Sequence, residues 1–152
     1  MEKSSSMEQQ EAQGIIFEQL VSEQNWNADN FQTNQYISLR EDVSIFINPD
    51  FYSEKDGIIG EIHAHVGKLK PSQRHKISAD ILKMLLFEKM RQKQLRKMIV
   101  VCSEAEEAQL TGNSYLGESI RQFGIELICV HIRPEIYEKL ISAQERQRMV
   151  NA

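Results

Sequence analysis

Two carboxylates, Asp50 and Glu61, stand eleven positions apart on either side of the turn-forming stretch Ser53-Glu54-Lys55-Asp56-Gly57. If the flanking segments pair as a hairpin, both side chains meet at one end of a sheet. Paired carboxylates suit Mg2+ or Mn2+, hard ions that keep several waters and are completed by substrate phosphate. An ion held by both would lower the pKa of a bound water and neutralise charge on a scissile phosphate. Lys68, Lys70, Arg74, His75 and Lys76 follow directly as a local basic cluster. Plainer roles exist for each group. Asp50 after Pro49 is ordinary turn chemistry, and Glu61 could face solvent beside Lys68 or Arg74, an exposed pairing worth about 0–1 kcal/mol. The basic cluster could be a solvated loop and helix start.

His63 and His65 add a second chemistry. With Glu61 they place an H-x-H pair and a carboxylate on one strand face, the ligand types of a zinc or iron site, although no fourth ligand lies close in sequence. Their placement follows from strict alternation over 58–66. Ile58, Gly60, Ile62, Ala64 and Val66 point one way; Ile59, Glu61, His63 and His65 point the other.

The elements that must position these groups read as follows. Residues 1–12 are polar and are expected to form a flexible tail, ahead of a single domain over 13–152. Ile15, Ile16, Leu20 and Val21 recur at helical spacing over 13–24, and the loop 25–34 is anchored by Trp26 and Phe31. Segments 36–40, 43–48 and 58–66 read as three strands of a meander, with Val43, Ile45 and Ile47 sharing a face and Asp50 ending the second strand. Pro71-Ser72 opens a long helix reaching about Gln92, on which Gln73, Lys76 and Asp80 share one side. The run Met98–Cys102 is a strand covered on both faces. A short helix from Glu104, a second helix capped by Ser114, a strand over 125–132 and a terminal helix from Pro134 complete the chain. The strands near 98 and 125 should be parallel with a right-handed crossover. The fold class is therefore α/β, a mixed central sheet flanked by helices.

Composition narrows the function. The chain of 152 residues carries a formal net charge of −4, which argues against a generic nucleic-acid coat but leaves room for a local basic patch. The start MEKSSSMEQQ has no apolar secretion region, and no run is long enough to span a bilayer, so a cytoplasmic location is expected. Cys102 and Cys129 lie in apolar runs and read as buried thiols, with no cysteine–histidine quartet for structural zinc. No GxGxxG follows the first strand, and no P-loop, HExxH or Ser/His/Asp arrangement is visible.

Pro49-Asp50, ten residues, then Glu61-Ile62-His63 resembles the PD-x(n)-(D/E)-x-K signature of the PD-(D/E)XK nuclease superfamily, with His where Lys is usual. The order helix, three strands, helix, strand over about 13–102 is similar to that superfamily's restriction-endonuclease-like αβββαβ core, with a C-terminal βα extension. The wider stretch GEIHAHVGKLKPSQRHK also resembles an uncharacterised bacterial family of this fold. The resemblance implies metal-dependent hydrolysis of phosphodiester bonds in DNA or RNA, with Asp50 and Glu61 holding Mg2+ or Mn2+. It places His63 at the position of the water-orienting lysine, as a metal ligand or proton acceptor rather than a permanent cation. Lys68 or Lys76 would then supply the missing charge, and Gln73 resembles the helix-borne glutamine of some members. Nucleic acid is the implied partner, and homodimerisation the implied association. The superfamily also hosts inactive members, so a non-catalytic interaction module is the competing class. Gln144, Glu145, Arg146, Gln147 and Arg148 on the terminal helix would then be its partner surface, or else a solvated face.

Overall fold

Every residue from Ile58 to His63 is buried, so this strand must lie inside a sheet covered on both faces. The computed structural model describes residues 3–151. In chain order the elements are α1 (Lys3–Gln24), a 3-10 turn (Ala28–Asn30), β1 (Gln32–Thr33), β2 (Ile37–Ser38), β3 (Phe46–Ile47), β4 (Phe51–Ser53) and β5 (Ile58–His63). Then follow α2 (Pro71–Arg91), β6 (Arg96–Val101), α3 (Glu104–Thr111), α4 (Tyr115–Gln122), β7 (Ile125–Cys129) and α5 (Pro134–Asn151). The central sheet has the order β1-β4-β5-β6-β7. Its first three strands are antiparallel, and β5, β6 and β7 are parallel through helical crossovers. It is a mixed sheet flanked by helices.

Alternation divides the core in two. Tyr52, Ile59, Ile99 and Val101 face Ile77, Ile81, Met84 and Phe87 of α2 and Leu116 and Ile120 of α4. Phe51, Ile58, Ile62, Met98 and Val100 face Ile16 and Leu20 of α1 and Ile136 and Leu140 of α5. Helices therefore cover both faces, which is why the parallel strands read as continuous apolar runs. Trp26 and Phe31 do anchor their loop: Trp26 stacks on Phe31 at 5.0 Å, and both lie 6.1 Å from Phe51. The two thiols are free, Cys102 buried and Cys129 half-buried. Among the described residues, no helix is long and apolar enough to cross a membrane.

Three local expectations change. Residues 1–12 are not a loose tail where described, since α1 begins at Lys3 (residues 1 and 2 lie outside the described residues). Ala12 is buried against α5, and Glu8 and Glu11 pair with Arg146 and Lys139. The segments 36–40 and 43–48 do not join the central sheet. Their pairing shrinks to β2–β3, a separate two-stranded hairpin, leaving Ile45 exposed while Ile37, Leu39 and Ile47 pack toward α2. Arg91 pins that hairpin by donating to the carbonyls of Ser38 and Leu39, with its guanidinium over the Phe87 ring. The middle strand of the meander is instead β4, so Asp50 leads into a strand rather than ending one.

Candidate metal-binding site

β4 and β5 pair with Phe51 opposite Gly60, and extending that register by one sets Asp50 opposite Glu61. Opposed residues on an antiparallel pair share a face, so both carboxylates lie on the α2 side with Tyr52 and Ile59. Gly60 allows this close pairing. A Cβ there would lie 2.1 Å from Cζ of Phe51, whose ring crosses the strand at that point. Asp50 is further fixed because its Oδ2 accepts a 2.7 Å hydrogen bond from the backbone N–H of Ile62.

Glu61 is only 6% exposed. Burial, then the charges of Asp50 and Asp80, push its carboxyl up to about 9, so at neutral pH it keeps a proton. Burial also raises Asp50, although the Ile62 N–H and the proton shared with Glu61 oppose it. Lys76, four residues before Asp80 on α2, is the cation acting on both carboxylates. Its Nζ lies 3.2 Å from Asp80 Oδ2. Burial pushes Asp80 up, but the His63 ring and Lys76 outweigh that and hold it below its ordinary value. His63 Nε2 stands 3.3 Å from the same Asp80 oxygen, close enough for an ionic contact but out of line for a hydrogen bond. That nitrogen is therefore buried without a hydrogen-bond partner.

His65 has a different partner. Its Nδ1 lies 2.5 Å from Oε2 of Glu106, which is wholly buried in α3. With Nδ1–H donating to Glu106, Nε2 is left as the free ring nitrogen, the arrangement by which carboxylates orient imidazoles. The other Glu106 oxygen has no partner. Cys102, in contact with the His65 carbonyl, is pushed up to about 12 by burial and by Glu106, so it is no nucleophile.

The fold thus gathers Asp50, Glu61, His63 and Lys76. Lys68 stands exposed in the loop before α2, and the electrostatic partners of Asp50 and Glu61 are each other, Lys76, His63 and Asp80. Gln73 lines the adjoining cleft, but its Oε1 accepts from the Lys70 N–H at 2.8 Å and caps α2. Glu61 does not pair with Lys68 or Arg74; the Arg74 guanidinium donates to the Leu69 carbonyl. Sequence reasoning missed Glu106, and its contact with His65 spans 41 positions without a local signal.

The donor set distinguishes between metals. His63 and His65 face carboxylates on different helices, and among the described residues no group of three or more His, Cys, Asp or Glu side chains could hold a metal ion. A zinc-type site needs three or four such ligands from the protein. Mg2+ and Mn2+ need only one or two carboxylates, with water and phosphate completing the shell. Asp50 and Glu61, two carboxyl groups opposed across a strand pair with Asp80 close by and Lys76 as their cation, fit that second type. No family model matches the chain, and no curated protein or solved structure matches it significantly.

Proposed function

We propose that this chain is a metal-dependent nuclease, hydrolysing phosphodiester bonds at the Asp50–Glu61 pair. The observation that carries the reading is the opposition of buried Glu61 on β5 and half-buried Asp50 just before β4, with a lysine acting on both. The sheet order and the position of Asp50 at the start of β4 support the resemblance to the PD-(D/E)XK superfamily.

Asp50 and Glu61 would hold Mg2+ or Mn2+. A bound divalent ion supplies a water of lowered pKa and neutralises charge on the phosphate. Lys76 fills the role left open by His63 at the usual lysine position. Its side chain is 61% exposed, so its ammonium can swing from Asp80 toward a phosphate and stabilise developing negative charge. Asp80 holds both Lys76 and His63 in place. His63, whose Nε2 faces Asp80 at 3.3 Å, stands beside the reacting group and can help fix the position of Asp80.

The test is cleavage of single- and double-stranded DNA and RNA with Mg2+ or Mn2+, repeated for Asp50→Ala, Glu61→Ala and Lys76→Met. Loss of at least 100-fold in all three variants is expected, since removing one electrostatic stabiliser of a transition state costs about 10²–10³ in rate. Cleavage unchanged in the two carboxylate variants would sink the assignment. No cleavage by the parent chain, with no calorimetric metal binding, would make it an inactive interaction module.

A further inference from the structure

Two clefts of about 390 and 370 Å3 share Gln9, His65, Ser72, Gln73 and Gln147, so they form one continuous groove; the first reaches Ile62, His63 and Lys76, neighbours of the two carboxylates, which themselves line neither cleft. Its walls come from the first half of α1, the start of α2 and the last turns of α5. The chain carries a net charge of −4, yet no Asp or Glu lines either cleft, and Lys70, Lys76 and Arg148 do. The groove also passes the N-terminus of α2, where the Lys70, Gln73 and Arg74 N–H groups are already bonded and only the helix dipole favours an anion. His63 also lines the first cleft, although its Nε2 is turned inward, 3.3 Å from Asp80 Oδ2.

The remaining lining is amide. Gln9 and Gln147 offer donors and an acceptor, whereas Gln73 Oε1 is held by the Lys70 N–H and Gln13 Nε2 donates to the Ile62 carbonyl, leaving each its other amide atom. A phosphate accepts only, so cations and N–H groups would suffice for it. Unpaired base edges both donate and accept, and in a duplex those edges are spent on pairing. Clefts of this size hold ligands of small-molecule dimensions, which suits one nucleotide at a time and excludes the convex face of a duplex. Beyond Gln13, a third cleft of about 350 Å3 contains Asp50, Glu18, Asn34 and Phe17 and Phe31, whose rings a base can stack on while its phosphate stays on the cationic side of the groove.

We propose that this groove is the track for a single, extended nucleic-acid strand, with cations on its phosphates and glutamine amides on its unpaired bases. The proposal rests on reading the carboxylates as a phosphodiester-directed site, but its test needs no catalysis.

Binding of a fluorescein-labelled 12-nucleotide single strand, as DNA and as RNA, is measured by anisotropy in EDTA across a salt series, against the matching duplexes. The comparison variant is Lys70→Glu/Arg148→Glu, both sites exposed, with circular dichroism confirming its fold. The parent chain should bind at least one single strand tenfold or more tightly than the matching duplex. The variant should lose at least tenfold, and its log–log salt slope should flatten by about 1.4, two phosphates at about 0.7 each. Mn2+ binding to the variant, followed by calorimetry, should be unchanged. Equal or tighter duplex binding, no single-strand binding at low salt, or a variant that binds like the parent would each overturn the track. If the track fails while Mn2+ still binds and cleavage persists, the nuclease reading survives. If single strands bind but no metal does, the nuclease reading fails alone.

Discussion

Glu61→Gln should stabilise the metal-free protein, and by an amount that grows with pH. In the folded chain this carboxyl titrates at about 9 against an ordinary 4.5, raised by burial and by Asp50 and Asp80. Between those values the unfolded state releases the proton while the folded state keeps it, so the folded state binds more protons and stability falls as pH rises. Over the span from 4.5 to pH 7, at about 1.4 kcal/mol per unit, the loss reaches about 3 kcal/mol. Glutamine keeps the shape and the neutral state but never ionises, so the variant escapes the loss. Urea unfolding in EDTA should find the two proteins nearly equal near pH 5. At pH 7 the variant should lead by about 2–3 kcal/mol, a rise in Tm on the order of 5–10 °C for a chain of this size. Saturating Mg2+ or Mn2+ should then favour the parent, because a ligand at 100 times its Kd stabilises the folded state by about 2.7 kcal/mol. A variant less stable than the parent by a constant amount from pH 5 to 8 would refute the electrostatic account of Glu61.

Gly60→Ala should cost about 1–3 kcal/mol in urea unfolding, because the new methyl collides with a Phe51 ring already packed by Phe17, Trp26 and Phe31. A neutral result would refute the close approach of the Phe51 ring to Gly60. Asp80→Asn should destabilise at neutral pH by about 1–3 kcal/mol, since it strips Lys76 and His63 of their shared carboxylate. Asp80 titrates below its ordinary 3.8, so its contribution is present above that value and fades as pH falls through the folded value. Parent and variant curves should therefore converge in acid, and a gap that persists to pH 2 would contradict the pairing.

The legible parts of this fold are those whose pattern is local. The long α2, the apolar β6, the Ser114 cap on α4 and the parallel β6–β7 pair all follow from periodicity and capping chemistry. β4 was hidden because Phe51, Tyr52 and Ser53 are buried on both faces and show no alternation, while the alternating 43–48 segment belongs to a small hairpin. The first turns of α1 are polar and look loose, and their partners Lys139 and Arg146 lie more than 120 positions away. The same distinction holds at the site. Asp50 and Glu61 flank one turn and could be paired by eye, as could Lys76 with Asp80 at helical spacing. The His65–Glu106 contact joins a strand end to a different crossover helix, and only packing creates it.

The polar face of β5 is a poor device for stability, and that bears on its purpose. Burying a charge costs several kcal/mol, recovered only when a partner is well placed, and apolar side chains of similar volume usually do better. Lys97 and Glu88 show the economical case, one cation against one carboxylate at 2.7 Å near the start of β6. Around Glu61 the balance is different: Asp50, Glu61 and Asp80 share one permanent cation, Lys76, and Glu61 must hold a proton to remain buried. A closed structural cluster would carry a second lysine or arginine there, and the exposed Lys68 and Arg74 stand nearby in sequence without entering it. The deficit is of positive charge, one position along β5 before Ile62 and His63, which line a cleft free of carboxylates. On the proposed reading, a divalent cation would supply that charge, displace the Glu61 proton and turn a destabilising pair into ligands.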